Sequence, residues 1–249
     1  MWEKKISRLD LKIDEMRKKI KGVEDYKILD EVFDKSTLLS LYYLANKGVI
    51  DLLYGTIKTG KESNVFLGKK DEKELAVKIH RVGTSDYKAM LKYINGDQRF
   101  RGIKRRRRSV VYTWVKKEFK NLNRARECKV RVPRPIAYRN NVLVMEFIGR
   151  GGRAYPMLKD VRPKRQGRVY KEILGFMKKL YCKGNLVHAD MSEYNILMKG
   201  NKPVLIDLSA AVVRDHPLAE EFLKRDVANI ARYFDQDEEE ALRFVKDCG

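Results

Sequence analysis

Apolar residues return every third or fourth position from Ile6 to Ile20, at Ile6, Leu9, Ile13, Met16 and Ile20, with charges between them. That spacing lays an apolar stripe along one side of a helix. A second helix is expected next: Asp34 or Ser36 offers a side-chain cap, Gly48 a stop, and Leu38, Leu41, Tyr42 and Ala45 an inward face. The two helices, residues 1–50, are expected to pack on the next domain. After Gly55 the period changes. Asn64 to Gly68 and Leu75 to His80 alternate like strands, and the charged turn Lys69 to Glu74 makes them a hairpin. Arg81 to Ser109 is polar and basic and fits neither period. Helical spacing resumes from Tyr112 to about Cys128, Val132 to Pro135 is extended, and Asn141 to Phe147 reads as a buried strand. Arg150-Gly151-Gly152-Arg153 reads as a flexible connector between lobes. Beyond it the pattern is mostly helical, broken by two short strands near Ile196–Leu197 and Val204–Leu208.

At 249 residues the chain is long enough for one large domain or two lobes with cores of their own. The 55 Lys and Arg against 34 acidic residues, a formal charge of +21, favour a polyanionic partner, RNA or a ribonucleoprotein, over a merely solvated basic surface. Three scattered cysteines, Cys128, Cys182 and Cys248, with no C-x-x-C spacing argue against a disulfide framework or zinc site and point to a reducing cytoplasm. The most apolar stretch, Leu38 to Ala45, is too short to span a bilayer.

Candidate chemistry centres on His188-Ala189-Asp190-Met191-Ser192-Glu193-Tyr194-Asn195, an H-x-D-x-x-x-x-N loop between short strands, and on Asp207 in the next strand. In that spacing one carboxylate reaches a nucleophile's proton while Asn195 and Asp207 offer oxygen to a hard cation. Upstream, Leu75-Ala76-Val77-Lys78 resembles the strand whose lysine holds nucleotide phosphates, and Glu118 on the Tyr112–Cys128 helix is the candidate partner of that lysine. Gly55 to Ser63 approaches a Walker A sequence, but Glu62 stands where Ser or Thr is required and a strand follows. A phosphate-covering hairpin loop over Thr59, Gly60, Lys61, Glu62 and Ser63 is the better account.

On these residues the chain resembles the RIO-type atypical protein kinases, closest to their first branch in a minimal archaeal-like form. T-G-K-E-S-N-V-F at Thr59–Phe66, K-E-F-K-N-L at Lys117–Leu122, Asp207-Leu208-Ser209, Asp215-His216-Pro217 and the run Glu221–Asp226 carry the resemblance over residues 40–240. It implies a bilobal kinase fold of the α+β class, an N-lobe over 51–149 with a flexible basic loop at 81–110 and a C-lobe over 150–249. It further implies ATP with Mg2+ or Mn2+, Ser/Thr phosphorylation with autophosphorylation or ATP hydrolysis, and work in small ribosomal subunit maturation. Lys78, Asp190, Asn195 and Asp207 take the catalytic roles, with Asn195 and Asp207 on the metal and Asp226 bracing the loop. Val65, Ala76 and Leu197 enclose the adenine, Met145, Glu146 and Ile148 form the hinge, and Glu118 orients Lys78. After Asp207 the chain has Leu-Ser where D-F-G would continue, and no A-P-E element follows, so a peptide platform is not expected. Arg99, Arg101 and Lys104–Arg108 suggest an RNA-contacting or nucleotide-sensing loop, with Ser109 as candidate autophosphorylation site. A monomer is expected, with a dimer as the alternative. Two rival functions are a non-catalytic, nucleotide-regulated RNA-binding assembly factor and a small-molecule kinase.

Overall fold

A computed structural model describes residues 33–249. The stripe at Ile6–Ile20 lies outside the described residues. The described chain divides into two compact units, the first ending at Asp86 and including Ile136–Phe147, the second made of Tyr87–Pro135 and Ile148–Gly249.

In the first unit, helix α1 (Lys35–Asn46) starts where Asp34 accepts the Thr37 amide at 2.7 Å. Such a cap stabilises a helix by about 1 kcal/mol. The inward face is Thr37, Leu38, Ser40, Leu41 and Leu44; Tyr42 and Ala45, expected inside, are half-buried. Strands β1 (Leu52–Thr59), β2 (Ser63–Lys70), β3 (Lys73–His80), β4 (Pro135–Arg139) and β5 (Val142–Glu146) form one sheet in the order β1-β2-β3-β5-β4. The hairpin β2–β3 is antiparallel in unbroken register, from Ser63 opposite His80 to Lys70 opposite Lys73.

Because strand side chains alternate faces, Leu75, Val77 and Ile79 join Phe66, Val142 and Val144 in a core under Leu38, Leu41 and Leu44 of α1. Asn141 and Asn140 tie this layer by donating to Thr37 Oγ1 at 2.8 Å and Ser40 Oγ at 2.9 Å. The alternate set, with Val65 opposite Lys78 and Ala76 opposite Met145, falls on the other face of the sheet.

The second unit holds α2 (Tyr87–Ile94), α3 (Arg107–Glu127), α4 (Gln166–Cys182), α5 (Ala219–Tyr233) and α6 (Glu238–Lys246). It also holds the two-residue strands β6 (Gly149–Arg150), β7 (Arg153–Ala154), β8 (Leu186–Val187) and β11 (Val212–Val213), and the hairpin of β9 (Ile196–Lys199) with β10 (Lys202–Leu205). The stretch after His80 that fits neither period contains α2 and a turn at Gln98–Phe100, which bury Met90, Ile94 and Phe100. Their anchors are too few among charges to register as a period. Tyr93 stacks on Phe222 at 5.1 Å and meets Trp114 edge-on at 5.7 Å, joining α2 to α5 and α3.

Two expectations are corrected. Arg150–Arg153 is a hairpin turn between β6 and β7 within the second unit, with Gly151 and Gly152 both at positive φ (59° and 75°), as a two-residue turn of this hand requires. Cys182 and Cys248, expected to be unpaired, are joined in a disulfide, leaving Cys128 free. The two cysteines lie 66 residues apart in sequence. Their meeting depends on α6 packing on α4, which cysteine spacing does not reveal.

Candidate active site

The loop that follows β8 carries the sequence-predicted residues. Ala189 takes a left-handed backbone, φ 65°, costly for a non-glycine residue, and turns the chain so that Asp190 points outward. The turn is held from beneath by Asp226 of α5. Its fully buried carboxylate accepts the Ala189 amide at 2.7 Å and the Met191 amide at 2.9 Å. Arg225 donates to the Ala189 carbonyl and Asn229 to that of Met191. Burial pushes the Asp226 carboxyl up to about 7, against the pull of those two amides and of Arg225.

Asn195, ending a short 3-10 turn, donates from Nδ2 to both the Asp190 carbonyl and its Oδ2, each at 2.8 Å. That fixes the Asp190 carboxylate and leaves the Asn195 amide oxygen as an acceptor. Loss of water raises the Asp190 carboxyl above its ordinary value, and the charge of Asp207 adds to this; His188, Asn195 and Arg225 pull it down. His188 is buried with Nε2 3.3 Å from the Ile206 carbonyl, and burial lowers its pKa against the attraction of Asp190.

Asp207 follows β10. Its φ is 59°, again left-handed, and Oδ1 accepts the Ser209 hydroxyl at 2.6 Å. The residues after it are held by α3. Lys117, fully buried, donates to the carbonyls of Ser209 at 2.9 Å and Ala211, and Asn121 to those of Leu208 and Ala211, both at 2.9 Å. Burial drives the Lys117 amine well below lysine's ordinary pKa, reinforced by Arg99 and opposed by Asp97 and Glu118. Glu118, the adjacent residue of α3, is fully buried in this unit.

The first unit carries the remaining predicted residues. Lys78 is buried on β3, on the sheet face that also bears Val65, Ala76 and Met145. Thr59–Glu62, exposed, span the β1–β2 turn, and Ser63 opens β2. Buried Asn64, not singled out from sequence, accepts the Gly60 amide at 3.4 Å and Arg81 Nη2 at 3.3 Å, tying that turn to the end of β3. Glu146 closes β5 at the surface, and the chain crosses to the second unit at Ile148, where buried Leu197 lies on β9. Ser109 is half-buried in the first turn of α3, which starts five residues earlier than the helical spacing predicts. Lys117 and Asn121 entered the sequence reading only as part of the Lys117–Leu122 motif, with no role, because partners distant in sequence define it; the signal was their four-residue spacing, which puts both on one helix face.

Asn195 and Asp207 present hard oxygen donors, the kind of which Mg2+ or Mn2+ takes one or two while phosphate and water complete the shell. The residues therefore fit such an ion.

A sheet-and-helix unit with a buried strand lysine, joined to a helical unit with a braced Asp-Asn loop and a second aspartate, defines a protein-kinase-like phosphotransferase. The fold agrees with the Rio2 kinase from Chaetomium thermophilum, solved as an ADP/Mg2+-phosphoaspartate complex (TM-score 0.66, 22% identity, covering 86% of this chain and 67% of that one). A family model described as RIO domain matches residues 64–246. The RIO-type serine/threonine-protein kinase Rio1 of Methanocaldococcus jannaschii is 46% identical over 220 residues, covering 88% of this chain and 75% of the relative. The Rio1 of Haloferax volcanii is 44% identical over 229 residues, 91% and 78% of the two chains. The chain belongs to the RIO domain family and is an atypical serine/threonine protein kinase.

Proposed function

We propose that this kinase moves the γ-phosphoryl group of ATP to a Ser or Thr hydroxyl, including its own, or to water, in maturation of the small ribosomal subunit. The observation that carries the reading is the doubly braced Asp190. Asn195 holds its carboxylate and Asp226 holds the backbone on either side, so the base is aimed before a substrate arrives. In this reading Asp190 takes the hydroxyl's proton, Lys78 holds phosphate and Glu118 orients Lys78. The Thr59–Ser63 turn covers the phosphates. Val65, Ala76 and Leu197 enclose adenine, and the backbone at Glu146 and Ile148 meets its edge beside Met145. Asn195 and Asp207 would hold Mg2+ or Mn2+, which when bound would supply positive charge against the phosphates.

Asp190→Ala is expected to cut turnover by roughly 10²–10⁴-fold while calorimetry finds ATP affinity nearly unchanged. Wild-type ATPase and autokinase rates in that variant would remove the assignment.

A second reading makes Asp207 a transient phosphoryl acceptor, favoured by the phosphoaspartate of the Rio2 complex from Chaetomium thermophilum. It predicts hydroxylamine-labile label from γ-labelled ATP, whereas acid-stable label confined to Ser109 opposes it.

The ribosomal partner is supported by charge. Lys104–Arg108 are exposed, and in the second unit a hollow of about 430 Å³ is lined by Arg126, Lys129, Arg131 and Lys179, with Glu172 the acid among its lining residues and bound to Arg131.

A further inference from the structure

Lys117 and Asn121 stand one turn apart on α3, both wholly buried. Between them they donate four hydrogen bonds to three of the first four carbonyls after Asp207: Leu208, Ser209 and Ala211. Asn121 is itself oriented, because its Oδ1 accepts Arg99 Nη1 at 2.8 Å, and Arg99 is gripped in a fork by buried Asp97 at 2.9 and 2.7 Å. The chain thus runs Asp97, Arg99, Asn121, then the backbone behind Asp207.

A lysine is a costly way to fill space here. Taking an amine out of water carries a large penalty, and an apolar side chain of similar volume is often neutral or better for stability. What the amine supplies and methionine does not is a directional grip on carbonyls. That grip falls on the residues that directly follow the left-handed Asp207, a conformation that persists only when its surroundings over-determine it.

We infer that Lys117 and Asn121 are positioning residues for Asp207: acting through the Leu208–Ala211 backbone, they fix the direction in which its carboxylate meets the nucleotide's divalent cation. The inference rests on the proposed reading of Asp207 as a ligand of that cation. Partners of this kind typically set metal affinity by about 10–100-fold. Arg99 and Asp97 extend the same grip into the basic segment ahead of α3, so the aim of Asp207 and the placement of that segment are parts of one hydrogen-bonded assembly.

The test uses the full chain and three readouts: Mn2+ titration followed by electron paramagnetic resonance with saturating ADP, ADP binding in chelator, and the metal-free thermal midpoint. Lys117→Met is expected to raise the half-saturating Mn2+ concentration by about 10-fold or more, to leave metal-free ADP binding unchanged, and to keep or raise the midpoint. In turnover, the Mg2+ requirement rises and most of kcat returns at saturating Mg2+. Should Lys117→Met fail to fold, Asn121→Ala removes one pair of donors, leaves the amine, and carries the same expectation. Wild-type Mn2+ affinity in a folded variant overturns the proposal, as does a parallel loss of Mn2+ and metal-free ADP binding, which marks general damage. Asp207→Ala separates the two levels. If it binds Mn2+ like wild type, the metal role of Asp207 fails; if it loses Mn2+ while the α3 variants do not, only the positioning role fails.

Discussion

Asp226 shows how a residue that meets no substrate in the proposed mechanism can still decide geometry. Its two oxygens satisfy amides on either side of Asp190, one of them on left-handed Ala189. Because burial raises its pKa from 3.8 to about 7, the folded chain keeps a proton that the unfolded chain releases across that interval. This contribution therefore favours folding at low pH and shrinks as pH rises from about 4 to about 7, by at most about 1.4 kcal/mol per pH unit. Asp226→Asn removes the titration. A series of thermal midpoints from pH 4 to 8 is expected to show a flatter slope in the variant, and equal slopes would contradict it. Its turnover is also expected to fall, since an asparagine side chain offers one of the two backbone amides an N–H instead of an oxygen. At this scale the sequence was most informative. The spacing of His188, Asp190, Asn195 and Asp207 placed the loop and the following aspartate, because loop chemistry depends on neighbours in the chain. Lys117 and Asn121 stood there only as letters of a motif, and their role was opaque, since the carbonyls they grip lie 87 to 94 residues further along the chain.

Among the elements, α2 and the turn after it best separate pattern from packing. Their anchors, Met90, Ile94 and Phe100, are isolated apolar residues in a basic run, and they settle only because α3 and α5 supply Trp114 and Phe222 to meet Tyr93. The connection demands glycine at one point. Gly96 sits at φ 91°, and a Cβ there would come 2.7 Å from Pro217 Cδ. Gly96→Ala thus combines backbone strain with a clash against a rigid ring and is expected to cost about 1–3 kcal/mol, read as a lower urea midpoint at unchanged slope. A neutral result would mean that the turn relaxes. Helix α3 begins before the expected start at Tyr112: Val110 and Val111, both fully buried, belong to its inward face, and only Arg107, Arg108 and Ser109 ahead of them carry no apolar signal, although arginine is a good helix former. In contrast, the β2–β3 hairpin was legible at its open end, near Asn64 and His80, while the pairing continues past the expected turn to Lys70 opposite Lys73; alternation on both strands leaves one register that buries Phe66, Val77 and Ile79 together.

For the whole molecule the dominant property is a charge of +21. Its expected signature is an RNA affinity that falls steeply with salt. Replacing Arg126, Lys129 and Lys179 with alanine should lower the slope of log K against log salt by roughly 0.7 for each single-strand phosphate that is no longer neutralised, with ATP turnover unaltered. An unchanged slope would place the RNA-binding surface elsewhere. Composition announced the sign of this field, whereas the hollow that concentrates part of it is lined by residues from the end of α3, from the run after it and from α4, which only the folded chain brings together. The pairing of Cys182 with Cys248 was likewise invisible, because the chain must fold back over a separation of 66 residues before the two sulfurs meet. The hold of α3 on the backbone behind Asp207 has a pharmacological corollary. A competitive inhibitor that requires that backbone to swing outward would have to break four hydrogen bonds and strand a buried amine. Compounds that accept the inward arrangement are the ones this kinase should select from a screening library.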